Sequence, residues 1–315
     1  MESVLEGNRL ALARLLTQVE NDSPEGRTAL AELFPHTGKA HLIGITGAPG
    51  TGKSSLVNQL ALHYRKNVDK KVAIVAIDPS SPFTGGAVLG DRVRMRDLSG
   101  DSGVFIRSMA SRGALGGLAR TTAAVVNVLD AAGFDLILVE TVGAGQSEVD
   151  IARLAHTTVV VEAPGMGDEI QAIKAGILET ADILVVNKAD RPGIENTERS
   201  LRLMLEMGHA AQTGSEPGQA FLETWLPPVL RCVSTSGEGV ESIAQAIFDH
   251  GDYLHNSGVW RQREYERLKT TLAILVQDAL ITRWRSQVGE DTIDEWIVRL
   301  CERSATPYEV VEALI

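Results

Sequence analysis

Apolar and polar positions along the chain follow two different periods. Between residues 5 and 19, Leu10, Leu12, Leu15, Leu16 and Val19 recur at helical spacing, and Asn21, Asp22, Ser23 and Pro24 then break the run. The pattern predicts an N-terminal helical arm. From His41 the texture changes to short, nearly all-apolar runs: Leu42–Thr46, Val72–Ile77, Val104–Ile106, Leu136–Val139, Thr158–Val161, Ile183–Val186 and Val229–Val233. Longer helical stretches separate them. Runs of this kind are buried on both faces, which predicts a largely parallel sheet with helices on each side. After about His250 the strand pattern stops. Residues Val259–Val288 and Thr292–Leu314 carry Trp260, Leu268, Leu272, Leu275, Trp284, Ile293, Trp296, Val298 and Leu300 among many charges, the signature of amphipathic helices. The expected fold is α/β in three segments: an N-terminal helical extension at 1–38, a sheet domain at 39–252 and a C-terminal helical arm at 253–315. The arm is too small to hold much core of its own. Its apolar stripes must cover the α/β domain or a second chain.

Composition narrows the classes. With 315 residues, 44% hydrophobic and 23% charged, the chain reads as a globular protein able to bury a full core. A net charge of −11 and the lack of any basic run argue against nucleic-acid binding. No stretch approaches the ~20 apolar residues of a membrane span. Cys232 and Cys301 are far apart and have apolar neighbours, so they read as small buried hydrophobes in a reducing compartment. Two glutamates near the N-terminus speak against a secretory signal, and a cytoplasmic location is expected.

Gly47-Ala48-Pro49-Gly50-Thr51-Gly52-Lys53-Ser54, followed by Ser55, matches GxxxxGK[ST] and lies between a predicted strand and a predicted helix. In that setting glycines turn backbone N–H groups toward phosphate oxygens, the helix N-terminus adds its positive end, Lys53 reaches the β/γ-phosphates and Ser54 offers a hydroxyl to Mg²⁺. The expected fold is therefore the three-layer sandwich of P-loop nucleotide hydrolases. Asn187-Lys188-Ala189-Asp190 closes the strand Ile183–Val186. This NKxD pattern reads guanine, because the Asp190 carboxylate can accept both N1–H and the exocyclic amino group, a donor pair that adenine lacks. Ser234 and Thr235, after the final strand, are expected to touch the base from a third loop.

Asp78, Asp91 and Glu140 stand at strand or loop ends, where an open α/β sheet holds its ligand, and carboxylates there suit the hydration shell or first coordination sphere of Mg²⁺. A helix N-cap is the alternative reading for each. Glu140-Thr141-Val142-Gly143 takes the place of the DxxG motif, with Gly143 sensing the γ-phosphate. Ala144 follows that glycine directly and Gln146 lies three residues past it, which argues against Ras-like placement of a catalytic glutamine and for slow intrinsic hydrolysis.

Longer strings complete the picture: Asp78–Gly86, Leu89–Met95, Ser111–Gly117, Glu140–Glu148 and Pro164–Glu169. With them the chain resembles, over nearly its whole length, the P-loop GTPases that carry glutamate in their third nucleotide motif (the SIMIBI class). Among these it is most similar to the MeaB-type chaperones of cobalamin-dependent acyl-CoA mutases such as methylmalonyl-CoA mutase. The resemblance implies a homodimer with the C-terminal helices as dimerisation arm. It also implies GTP as substrate and GDP as product, Mg²⁺ held near Ser54, Asp78, Asp91 and Glu140, and a mutase partner that itself binds adenosylcobalamin. GTP would gate loading, protection and reactivation of that partner. A further switch at Pro164–Lys174 would relay nucleotide state, with Asp168, Gln171 and Lys174 assisting Lys53 and Glu140 in hydrolysis. Two glycines, Gly165 and Gly167, give that loop permissive hinges.

Three rival readings stay open. A nickel-inserting GTPase would need a Cys/His site, whereas His36, His41, His63, His156, His209, His250 and His255 form no HxH or CxH cluster in sequence. A transport-linked kinase or ATPase would use ATP as well as GTP. A scaffold would hydrolyse neither.

Overall fold

A computed structural model of the chain describes residues 2–79, 96–98, 100–111, 117–141, 151–165, 180–212 and 225–315. Each of the seven apolar runs forms a strand: β1 (His41–Thr46), β2 (Val72–Pro79), β3 (Val104–Ser111), β4 (Leu136–Thr141), β5 (Thr157–Glu162), β6 (Ile183–Val186) and β7 (Val229–Arg231). They pair in parallel in the order β3-β2-β4-β1-β5-β6-β7. The last strand stops short of the predicted Val233, because Val233 turns out of the sheet to bridge Glu238 antiparallel.

The described helices are α1 (Glu2–Leu5), α2 (Arg9–Glu20), α3 (Pro24–Leu33), α4 (Lys53–Asn67), α5 (Gly117–Ala131), α6 (Ile194–Gln212), α7 (Val240–Asn256), α8 (Val259–Gln287), α9 (Glu290–Cys301) and α10 (Pro307–Leu314). The predicted arm is thus broken in two by Asn8, whose side chain caps α2 through the N–H groups of Leu10 and Ala11. Ser23 then caps α3, with Pro24 at its first position.

Alternation along the strands builds three layers. Leu42, Ala73, Val75, Ile77, Ile137 and Val139 join α2, α3 and α5 in one core. Ile43, Ile45, Val72, Ile74, Leu136, Leu138, Val159, Val161, Ile183 and Val185 join α4 and α7 in a second, on the opposite face. Val160, Leu184 and Val186 pack with Ile194 and Leu201 of α6. The N-terminal helices are integral to this body: Arg107 of β3 donates to Glu20 at 2.7 and 2.5 Å, and the Asp130 carboxylate of α5 accepts from the N–H groups of Gly38, Lys39 and Ala40 at 2.5–3.2 Å.

The chain divides into two compact units, one ending at Arg267 and one running from Leu268 to Ile315. In the second, Trp284 Nε1 donates to Leu314 O at 2.6 Å, and Thr306 and Glu309 form a capping box on α10. Leu272, Leu275, Val276, Leu280 and Ile281 of α8 remain exposed. Cys301, expected in a core, is exposed as the last residue of α9, while Cys232 is buried as expected. Among the described residues no helix is long and apolar enough to cross a membrane.

Candidate functional site

The loop from Thr46 to α4 is held by its own backbone. Gly52 ends it at φ +97°, a conformation that L side chains rarely adopt, and a Cβ there would lie 2.3 Å from Asn187 Nδ2. Gly47, at φ +135°, runs so close to β5 that a Cβ would lie 2.1 Å from Val161 O. The buried Thr51 closes a turn by donating through Oγ1 to Ala48 O at 2.9 Å. Lys53 is buried, and its Nζ donates to Gly47 O at 2.6 Å and Ala48 O at 2.9 Å, curling the ammonium over the loop. Pro49 and Gly50 are exposed at the crest, and Ser55 is exposed on α4. Because α4 begins at Lys53, the loop runs straight into a helix N-terminus, the arrangement that binds anions.

Asn187 welds this loop to two others. Its Nδ2 donates to Thr51 O at 2.7 Å and to Ser234 Oγ at 2.9 Å, while its Oδ1 accepts from Ser234 N at 3.0 Å and Cys232 Sγ at 3.3 Å. All four hydrogen-bonding positions of the amide are used, and the backbone partners fix which end is oxygen. Burial pushes the Cys232 thiol up to about 12, so it stays a protonated donor. Lys188 sits at φ +59° and sends Nζ to Gly50 O at 2.5 Å. Ala189 N donates to Cys232 O at 3.0 Å. Ser234 is buried within this junction, whereas Asp190 and Thr235 are exposed on its rim.

On the other side, Ser54 Oγ donates to Glu140 Oε1 at 2.6 Å, and Glu140 is buried at the end of β4. Thr141 Oγ1 donates to Thr46 Oγ1 at 3.3 Å, tying β4 to the strand that feeds the loop. A hydroxyl beside a carboxylate, both oxygen donors, fits Mg²⁺, which takes one or two protein oxygens and completes its shell with water and phosphate. Asp78 lies in β2, which pairs with β4 through Ala76 opposite Glu140 and Ile77 opposite Thr141, so its backbone belongs to the same edge of the sheet. Gly165, with φ +87°, begins the predicted hinge. Asp91, Gly143, Asp168, Gln171 and Lys174 lie outside the described residues.

A second cluster escaped the reading of the sequence. His41, His156, His250 and His255 share no motif, yet they converge at the opposite, N-terminal edge of the sheet. His41 Nε2 and His250 Nδ1 meet the Thr157 hydroxyl at 2.6 and 2.8 Å. His156 and His255 flank Trp260 with ring centroids 3.9 and 4.1 Å away. Arg263 grips the buried Asp182 with two hydrogen bonds of 2.8 and 2.7 Å. Three strand starts and the first turns of α8 meet here, and only the parallel register brings them together. No group of three or more His, Cys, Asp or Glu among the described residues is placed to hold a metal ion.

Comparison with known proteins places these features in a family. The family model described as methylmalonyl-CoA mutase-associated GTPase MeaB matches residues 12–289. GTPase ArgK of Escherichia coli is 36% identical over 262 residues, covering 82% of this chain and 76% of that protein. A Caenorhabditis elegans protein, the mitochondrial methylmalonic aciduria type A homolog, is 32% identical over 296 residues, covering 89% and 72%. The crystal structure of a LAO/AO transport system kinase superposes with a TM-score of 0.70 at 25% identity, over 99% of this chain and 94% of the other.

Proposed function

This chain belongs to the MeaB family of methylmalonyl-CoA mutase-associated GTPases, and from that premise we infer that it is a GTP-driven chaperone of a cobalamin-dependent acyl-CoA mutase. The observation that carries the nucleotide reading is the Asn187 amide, bonded at once to the phosphate loop through Thr51 and to the third loop through Ser234. One hydrogen-bonded unit then serves both ends of a guanine nucleotide. Gly47, Ala48, Pro49, Gly50, Thr51 and Gly52, with Ser54 and Ser55, cradle the phosphates. Asp190 at the exposed rim reads the base edge, flanked by Lys188, Ser234 and Thr235.

Lys53 holds the loop closed through Gly47 O and Ala48 O, and in the GTP-bound protein it turns from those carbonyls to the γ-phosphate. Ser54 and Glu140 are the residues that would hold Mg²⁺, together with Asp78 and Asp91. When bound, that ion neutralises charge developing on the phosphate oxygens. Glu140 orients the Ser54 hydroxyl, and Thr141 fixes the end of β4 against Thr46. Gly143 senses the γ-phosphate, and Asp168, Gln171 and Lys174 form the partner-responsive switch beyond the Gly165 turn. The exposed apolar face of α8 supports a homodimer built on the C-terminal helices. Adenosylcobalamin belongs to the partner rather than to this chain, and the setting assigned to the pair is cytoplasmic.

Turnover measured with GTP and with ATP, each with and without purified acyl-CoA mutases, tests this reading. The expected result is slow GTP hydrolysis alone, acceleration by one mutase, and a stable complex on gel filtration. Stimulation by no mutase overturns the chaperone role, and equal use of ATP favours the kinase reading that the transport-kinase likeness suggests.

A further inference from the structure

His156 occupies a position that tolerates only an uncharged ring. Its Nδ1 accepts from the backbone N–H of Leu42 at 3.1 Å, so it carries no proton, and Nε2 is therefore the N–H that faces Glu264 Oε2 at 3.2 Å. The His156 backbone adds a bond from its N–H to Leu42 O at 2.8 Å and accepts the guanidinium of Arg263 at its carbonyl. One residue thus joins the start of β1, the start of β5 and the first turns of α8. Trp260 packs against its ring, and His255 stacks on the same indole.

We propose that His156 is a protonation-sensitive latch: as a neutral ring it holds the root of α8 to β1 and β5, and as an imidazolium it lets that root go. A second proton enters at Nδ1, where it points at the Leu42 N–H and removes the acceptor that this backbone group uses. The charged groups around the ring divide. Burial, the largest influence, lowers the affinity of the ring for a proton; Glu264 of α8 favours the cation, Arg267 and Arg263 of the same helix oppose it, and the net direction is down. His41 of β1, His250 and His255 of α7, and Asp182 before β6 complete the titratable surroundings. His41 is likewise kept neutral, chiefly by burial. At their other ends the latched strands carry functional loops: β1 leads into Gly47, and β5 leads through Ala163 to the Pro164–Gly165 turn. Release of the root therefore loosens the floor from which both loops project.

Amide hydrogen exchange of the full chain without nucleotide, from about pH 7.5 to about pH 5 and corrected for intrinsic exchange, reads the latch directly. In the wild type, protection over 259–267 and at Leu42 is expected to be flat near neutrality. It then falls, by up to ~10-fold per pH unit for a single linked proton, from the ordinary imidazole range down to the lower value of the latched ring, and the midpoint of that fall reads the latch. His156→Asn keeps an acceptor near the Nδ1 position but cannot take up a proton, so its protection is lower and its step shrinks to what the neighbouring His41 contributes. Glu264→Gln keeps the ring and removes its stabilising charge, which moves the midpoint to lower pH. A wild type without a step, a His156→Asn variant that keeps the full step, or a Glu264→Gln midpoint that is unmoved or raised each overturns the proposal. If His156→Asn does not fold, the Glu264→Gln midpoint decides.

Discussion

Ser54 Oγ donates to Glu140 Oε1 across 2.6 Å, so the first turn of α4 and the end of β4 meet at the side chains expected to share a cation. Glutamine at 140 keeps the shape and the hydrogen bond but loses the charge that a divalent ion needs. Glu140→Gln is expected to slow GTP hydrolysis ~10–100-fold, the range found when a group supporting a metal is altered. GDP affinity without Mg²⁺ should stay as in the wild type. Single-turnover hydrolysis over a Mg²⁺ titration checks this, and an unchanged rate removes Glu140 from the reaction.

Asn187→Ala tests the junction rather than the chemistry. It strands Thr51 O, the Ser234 hydroxyl and the Ser234 N–H in a buried place, at a cost of ~1–3 kcal/mol for each unmet group. Lower thermal stability and weaker GDP binding should therefore appear together. Gly52→Ala is expected to do the same by a different route, since its Cβ would lie 2.3 Å from Asn187 Nδ2 at a backbone angle that alanine resists. Normal GDP affinity in either variant, by calorimetry, separates the amide from nucleotide binding.

The strands and the phosphate loop were legible because their signals are local. Nearly continuous apolar runs such as Val72–Ile77 admit few placements other than a two-sided sheet, and a glycine-rich turn between strand and helix needs no tertiary knowledge to interpret. The meeting of Ser54 with Glu140 was also open to reading, since the phosphate loop and the strand ends converge on one edge of a parallel sheet. Cys232 was read only as apolar volume, although its thiol supports Asn187, because a hydrogen bond from a buried thiol has no sequence pattern. The histidine cluster was invisible for a stronger reason. His41, His156 and His250 lie more than ninety residues apart in sequence, and only the register of β1 with β5 sets them around Thr157.

Asp190 is exposed at the end of its loop, so replacing it should alter what is bound more than whether the protein folds. Asp190→Asn exchanges one carboxylate oxygen for a donor, which matches xanthine, where the amino group of guanine is replaced by an oxygen. The expected outcome is a fall in GDP affinity with a gain for xanthosine diphosphate, at unchanged melting temperature. A variant that still prefers GDP places the base-reading group elsewhere.

Arg263 and Asp182 give a prediction whose sign depends on pH. Burial raises the Asp182 carboxyl, but the Arg263 hydrogen bonds and the nearby His250 outweigh it and hold the group down to about 2, against an ordinary 3.8. A folded value below the unfolded one contributes stability above about pH 4, lost as pH falls through the folded value. Arg263→Met removes both guanidinium bonds to Asp182, and a third to the His156 carbonyl, and leaves a buried carboxylate with Thr158 N and His250. At neutral pH the cost should be ~3–5 kcal/mol, the usual penalty for orphaning one member of a buried pair. Burial then dominates, the carboxyl rises above its ordinary value, and protonation becomes the relief. The variant should accordingly lose less stability, relative to wild type, at pH 4 than at pH 7. Urea melts at the two pH values read the difference: equal losses at both would mean that Asp182 stays ionised without its arginine, and that the ion pair does not set its charge state.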